Sequence, residues 1–357
     1  MPEAGVRRCL LCHGSDAGSE SWPHDGLKVN ELNAQTQTPV GPLTGRDILA
    51  ACAVIVIWGL NFVAMKLALV DFTPFQLGAI RYVFAAIPLI FLVRFPSSAW
   101  KWLLAYGLCQ GVGQFGLLFV ALNVGMTAAL ASVLMQTQVF FTALFGYFFL
   151  HERLTRPLQL GLVCAAVGLG CFAMNYVGGN AQAALVVGTT IAGFLLNLGA
   201  ASMWAGSNII ARKAQQHIER FDALGFVVWS SIVPIVPFIV ASWIFDPMQT
   251  RWVWTAASWQ SWASVAYLGW FATILAYALW TGLLRRHPAN RIAPFSLGVP
   301  VIGLVTGVLA LGETVTGWQF AGSIFIVLSL GVVVLWKPKA NNKSGGREIK
   351  NSLEIAK

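Results

Sequence analysis

The chain has 357 residues, of which 57% are hydrophobic and 10% charged, with a net charge of +9. A soluble domain carries about 25% charged and about 45–50% apolar residues, so this composition excludes a soluble enzyme, a coiled coil and a disordered chain. The positive charge does not signal nucleic acid, because the basic residues lie between long apolar runs rather than on one foldable face.

Residues 1–45 are rich in Gly, Ser, Asn, Gln and Pro without periodicity, and read as a disordered cytoplasmic tail with no signal peptide. Within it, Cys9-Leu10-Leu11-Cys12-His13 has the spacing of a haem attachment site. No export segment precedes it and no domain surrounds it, so it is read as chance, and no cofactor or metal is expected.

Beyond residue 45, apolar runs of about 20 residues follow one another, each long enough to cross a hydrocarbon core of about 30 Å. Ten spans are expected: Ile48–Leu69, Phe75–Val93, Trp102–Leu122, Ala128–Leu150, Leu158–Val177, Gly188–Ala211, Ala223–Phe245, Trp262–Leu284, Ile292–Leu311 and Trp318–Trp336. Lipid offers no partner to backbone N–H and C=O groups, so each span must be a helix. The runs are continuous rather than short and alternating, which argues against a β-barrel.

Polar residues inside these runs are the candidates for function. Lys66 stands at the far end of span one, where a snorkelling anchor is expected. Arg81 lies within span two; an intramembrane cation faces the bundle interior, and a guanidinium holds a carboxylate through two parallel hydrogen bonds. It is the candidate clamp for a substrate carboxylate, the competing role being a structural cation on backbone carbonyls. Gln110 and Gln114 share a face of span three; Gln136 pairs with Ser132, and Gln138 with Thr142, on span four. Asn197, Trp204 and Asn208 share a face of span six, and Trp270, Thr273, Tyr277 and Trp280 a face of span eight. The substrate-binding set is therefore Asn61, Arg81, Gln110, Gln114, Gln136, Gln138, Trp204, Asn208 and Tyr277, with interhelical hydrogen bonding and packing as the competing roles. Glu152 and Glu313 sit at helix ends, and no Asp or Glu lies in a span core. Gly107-x-x-x-Gly111 and Gly303-x-x-x-Gly307 permit close helix approach, while Pro88, Pro234, Pro237, Pro294 and Pro300 are expected kinks.

Twenty Lys and Arg residues fall on the side of both termini and two, Lys66 and Arg251, on the other. The positive-inside rule assigns both termini to the cytoplasm, the last being a basic tail over 338–357. The loop Asp246–Gln260 carries Trp252, Trp254 and Trp259, residues that favour the headgroup level.

The chain also repeats itself. A shift of 161 carries Tyr106 to Tyr267, Glu152 to Glu313, Gly161 to Gly322 and Gly170 to Gly331. Shifts of 146 and 147 carry Phe75 to Phe221, Pro88 to Pro234, Asn61 to Asn208 and Lys66 to Lys213. The halves are 46–177 and 185–337, five spans each. Five is odd, so the copies cross in opposite senses, and the expected fold is an all-α membrane protein of two inverted five-helix repeats. Inverted repeats are a signature of secondary transporters, with the site near midplane between the halves. The shift turns the four glutamines into Phe271, Leu275, Leu297 and Val299, and Arg81 into Val227. Polar groups present in one half alone suit an asymmetric ligand.

Trp58-Gly59-Leu60-Asn61-Phe62 resembles the opening signature of the EamA family in the drug/metabolite transporter superfamily. Glu152-Arg153-Leu154 with Gly161 and Gly170 resembles the end of that family's first repeat, and Pro300, Gly312-Glu313 and Gly322 the end of its second. Ala128–Gly146, Val228–Ile244 and Ala293–Gly322 look like members that export O-acetylserine and cysteine. Thr314, where a basic residue would follow Glu313, and the long polar head depart from the pattern. The resemblance implies a multi-pass protein of the bacterial inner membrane that exports small amino-acid-type metabolites by alternating access. Its partners would be a small-molecule substrate and lipid, with no nucleic acid. A different solute, such as a sugar nucleotide or a drug, is the alternative. Against an ATP-driven pump there is no G-x-x-x-x-G-K-[ST] loop. Against an intramembrane enzyme, His151-Glu152 lacks the second His of H-E-x-x-H and no G-x-S-x-G occurs.

Overall fold

The computed structural model describes residues 43–96, 99–150, 155–174, 190–218, 221–287 and 292–335. The Cys9–His13 segment, Glu152 and the basic tail lie outside the described residues. Among these residues every regular element is helical and there is no strand. We label the helices α1 (Gly45–Ala68), α2 (Pro74–Ile90), α3 (Trp100–Tyr106 continuing to Asn123), α4 (Ala128–Leu150), α5 (Arg156–Met174), α6 (Ile191–His217), α7 (Ala223–Ser230 and Ile235–Phe245), α8 (Trp259–Ala266 continuing to Arg286), α9 (Ala293–Leu311) and α10 (Gly317–Leu335).

Eight of these are long and apolar enough to cross a membrane. The others fall just short: α2 has 17 residues, and the apolar stretch of α9 is Phe295–Leu311. Seventeen residues reach about 26 Å at 1.5 Å per residue, close to the lower limit for a span. The helices start where the sequence supplies caps. Thr44 with Asp47 and Thr73 with Gln76 form reciprocal capping boxes at α1 and α2. The side chains of Thr127, Thr190, Asp222 and Ser258 cap α4, α6, α7 and α8.

Several helices are irregular in their middles. α3 is π-helical over Gly107–Gly116 and α8 over Tyr267–Leu275. α4 tightens to 3₁₀ over Met135–Thr137, and α9 begins as 3₁₀ over Ala293–Leu297. The shift of 161 brings Gly107 to Leu268 and Met135 to Ser296, so each irregularity recurs at its counterpart. α7 breaks between Ser230 and Ile235, at Pro234, which has no N–H to continue the ladder. Pro88 and Pro237 lie inside unbroken helical segments.

Packing places counterparts side by side. α5 and α10 run antiparallel: Gly161 abuts Val333, Gly168 abuts Gly322, and Cys164 Sγ donates to the Phe325 carbonyl at 3.4 Å. α2 and α7 also run antiparallel, with Thr73 Oγ1 donating to Asp246 Oδ2 at 2.6 Å at one end and Trp229 Nε1 to the Val93 carbonyl at 3.2 Å at the other. The glycine pairs mark the close approaches. Gly107 and Gly111 receive Val233 and Pro234 at the α7 break, and Gly303 and Gly307 receive Ser132 and Ala129 of α4.

The largest apolar core, including Met65, Leu118, Leu122, Met126 and Leu130, fills the bundle toward one end. Here Lys66 is half-buried, and its Nζ donates to the Leu122 carbonyl at 2.7 Å and the Met126 carbonyl at 3.0 Å. It does not snorkel, because the carbonyls left open beyond the end of α3 lie within its reach. The Glu313 carboxylate accepts the N–H groups of Ala128 at 2.7 Å and Ala129 at 2.8 Å, capping α4. α9 ends at Leu311, and the next residue, Gly312, has a left-handed φ of 63°. At this end Trp252 and Trp259 are exposed, and Asp71 Oδ2 accepts the Ser258 N–H at 2.8 Å and hydroxyl at 2.5 Å. At the opposite end buried Asp47 contacts Arg286 and His287, each at 3.0 Å.

Candidate functional site

A cavity of about 310 Å³ lies in the middle of the bundle. Eight of the nine expected residues line it: Asn61, Arg81, Gln114, Gln136, Gln138, Trp204, Asn208 and Tyr277. The ninth, Gln110, lines an adjoining void of about 30 Å³ that also touches Arg81, Tyr106 and Tyr277. The main cavity falls at the small end of ligand pockets, which run about 300–1,000 Å³. A larger hollow of about 430 Å³ on the flank is lined mainly by Trp and aliphatic side chains and has no such convergence of polar groups.

Arg81 is 3% exposed. Its Nη2 donates to Thr273 Oγ1 at 3.4 Å, and its guanidinium carbon sits 3.8 Å from the centre of the Phe115 ring. Nε and Nη1 are buried without a hydrogen bond. No Asp or Glu among the described residues lines either void. A buried cation without a counter-ion costs several kcal/mol; the ring face returns part of that, and an arriving anion would return more.

The amides divide into two kinds. Asn208 Nδ2 donates to Gln138 Oε1 at 3.0 Å and to Thr142 Oγ1 at 3.2 Å, tying α6 to α4. Gln110 Oε1 accepts the Ser207 hydroxyl, tying α3 to α6. By contrast Asn61 Oδ1 and Gln114 Oε1 are buried and unpartnered. Asn197, expected on the face of Trp204 and Asn208, is fully buried and does not line the cavity.

The irregular backbone surrounds the small void. Gly107 and Gly111 come from the π-segment of α3, Ser230, Ser231 and Pro234 from the α7 break, and Thr273 from the π-segment of α8. Non-α backbone at membrane depth is tolerated where it is buried in protein or lines a cavity. The π-segment also divides the expected stripe on α8. Thr273, Tyr277 and Trp280 reach the voids, whereas Trp270 turns to Phe84, 5.3 Å between ring centres. Thr273 Oγ1 bonds the Leu268 carbonyl, five residues back, at 2.9 Å.

Sequence reasoning missed Trp58, Tyr106 and Ser296 as cavity residues. Trp58 Nε1 donates to the Ala272 carbonyl in the α8 π-segment at 3.1 Å, and its ring meets those of Tyr277 and Trp280, each 5.5 Å away. Its place beside Asn61 in the first span was the available signal. Tyr106 recurs as Tyr267, yet the two differ: Tyr106 lines the cavity, and Tyr267 donates to the Ile57 carbonyl at 2.7 Å.

A sequence model of the EamA-like transporter family matches residues 46–174 and 191–335. Relatives from Salmonella typhimurium and Escherichia coli, each described as a probable amino-acid metabolite efflux pump, are 38% identical over 82% of this chain and 96% of their own length. An uncharacterised transporter from Bacillus subtilis is 26% identical over 78% of the chain and 93% of its own. One crystal structure is similar in fold alone, with a TM-score of 0.53 at 18% identity, covering 81% of this chain and 96% of that one.

Proposed function

Because the chain belongs to the EamA-like transporter family, we propose that it exports small amino-acid-type metabolites, of the O-acetylserine and cysteine kind, by alternating access. The proposed architecture is ten spans in two inverted halves, 46–177 and 185–337, with both termini in the cytoplasm of a bacterial cell. The antiparallel packing of α5 on α10 and of α2 on α7 supports inversion, as do the irregular turns recurring at counterpart positions. Two relatives named as amino-acid metabolite efflux pumps support the substrate class.

One observation carries the reading: Arg81 is buried at the cavity wall with two N–H directions unfilled and, among the described residues, no carboxylate to meet them. A substrate carboxylate supplies the missing partner through charge-assisted hydrogen bonds. The other open polar groups orient the rest of a small molecule, and Trp58, Trp204, Tyr277 and Trp280 wall its side chain. The packed core and the Lys66 and Glu313 caps close the bundle on the side proposed as external. Substrate therefore enters from the cytoplasmic side, and rocking of the halves releases it outside.

The test is transport in inverted vesicles, with outflow from overproducing cells screened for O-acetylserine, cysteine and other amino acids. Outflow of at least one is expected, and Arg81→Ala raises its KM at least tenfold. Outflow of none removes the substrate class and leaves family membership standing. An unaltered KM in Arg81→Ala removes the carboxylate clamp.

A further inference from the structure

Asn61 on α1 and Asn208 on α6 are counterparts, 147 residues apart. Asn208 Nδ2 donates to Gln138 Oε1 and to Thr142 Oγ1 of α4. The shift of 161 that relates α4 to α9 puts Val299 where Gln138 stands, and Val299 lines the same cavity as Asn61. The second half thus offers a valine where the first offers an amide, and, independently of that, Asn61 Oδ1 is buried with no hydrogen-bond partner. Gln114 Oε1, on the same cavity wall, is equally orphaned. A buried acceptor left without a donor is costly, so two of them beside an unpaired cation form a polar surface suited to a ligand that brings both an anion and N–H donors.

We infer that Asn61 and Gln114 accept the α-ammonium group of the substrate, so that the cavity selects free amino acids rather than carboxylates at large. This rests on the reading of Arg81, because the carboxylate anchor sets where the amine falls. An ammonium group brings three donors. With no Asp or Glu on the wall among the described residues, the two amide oxygens meet it, beside the rings of Trp58 and Tyr277. A site built to hydrogen-bond a substrate group rejects the analogue that lacks it, because its buried polar atoms stay unpaired.

The test compares uptake into inverted vesicles of one exported amino acid, its desamino acid with the same side chain, and its methyl ester. The unaltered protein should favour the amino acid over the desamino acid at least tenfold in kcat/KM. Asn61→Leu should collapse that ratio toward one by raising the KM of the amino acid alone. Val299→Gln, which places an Nε2 donor where it can pair Asn61 Oδ1, should lower amine preference in the same way while melting no lower than the unaltered protein. A folded Asn61→Leu that keeps the original ratio overturns the inference. So does a Val299→Gln that slows both substrates equally, since the new amide would then be a plug. The ester keeps the amine and lacks the anion. If it moves as well as the acid, the Arg81 reading fails, and the amine ratio still reports on Asn61 by itself.

Discussion

Two charged side chains, Lys66 and Glu313, hold the short connection between α3 and α4 from opposite sides, one on the carbonyls of Leu122 and Met126, the other on the N–H groups of Ala128 and Ala129. Glu313→Gln removes the charge and turns one acceptor into a donor facing an N–H, so it should cost about 1–3 kcal/mol, read as a lower melting temperature in detergent. Lys66→Met should destabilise as well. Because both act on one turn, the double variant should lose less than the sum by more than about 0.5 kcal/mol; strict additivity would show that the caps are independent. The roles of these residues were only half visible in the sequence. A charge at a helix end reads the same whether it snorkels or caps, and only the neighbouring helix decides. Arg81 and the amides were easier to find, because a polar group inside an apolar run stands out. Trp58 was harder, because an aromatic in a membrane helix is ordinarily packing.

The helices were legible from hydropathy, and most observed ends fall within a few residues of those expected. The π- and 3₁₀-segments were not, because a run that is apolar all round carries no phase from which a change of pitch could be noticed. Their signature is instead in the glycines that let neighbours close in. Gly111 lies against Pro234 in the α7 break, whereas Gly170 on α5 has nothing within 4 Å of where a Cβ would stand. Gly111→Val should overpack this contact and cost about 1–3 kcal/mol. Gly170→Ala should be neutral or stabilise by about 0.5–1 kcal/mol, since it relieves the entropy cost of glycine in a helix without meeting a neighbour. Thermal melts of the two variants check both signs. Equal destabilisation would mean that Gly170, which recurs as Gly331, is needed for a reason other than close packing.

At the scale of the molecule, the proposed duplication reads from the sequence as two sets of five spans, but the sequence says nothing about which end is shut. The described residues place the large core and the charged caps at the Lys66 end, and a tether there joins the proposed halves: Asp71, before α2, accepts two hydrogen bonds from Ser258, before α8. Those bonds hold the Asp71 carboxyl below its ordinary range. The tether is therefore intact above about pH 3.9 and is lost only as pH falls through the lowered value. Alternating access requires this end to part in every cycle. With the side-chain oxygens 2.5 Å apart, Asp71→Cys paired with Ser258→Cys should cross-link on oxidation. Turnover should then fall at least tenfold while substrate still binds from the side proposed as cytoplasmic, and reduction should restore transport. Single-cysteine variants under the same oxidant control for the six native cysteines, of which Cys52, Cys109, Cys164 and Cys171 are free. Undiminished turnover in the cross-linked protein would mean that substrate leaves without the halves separating here, and that the rocking motion lies elsewhere.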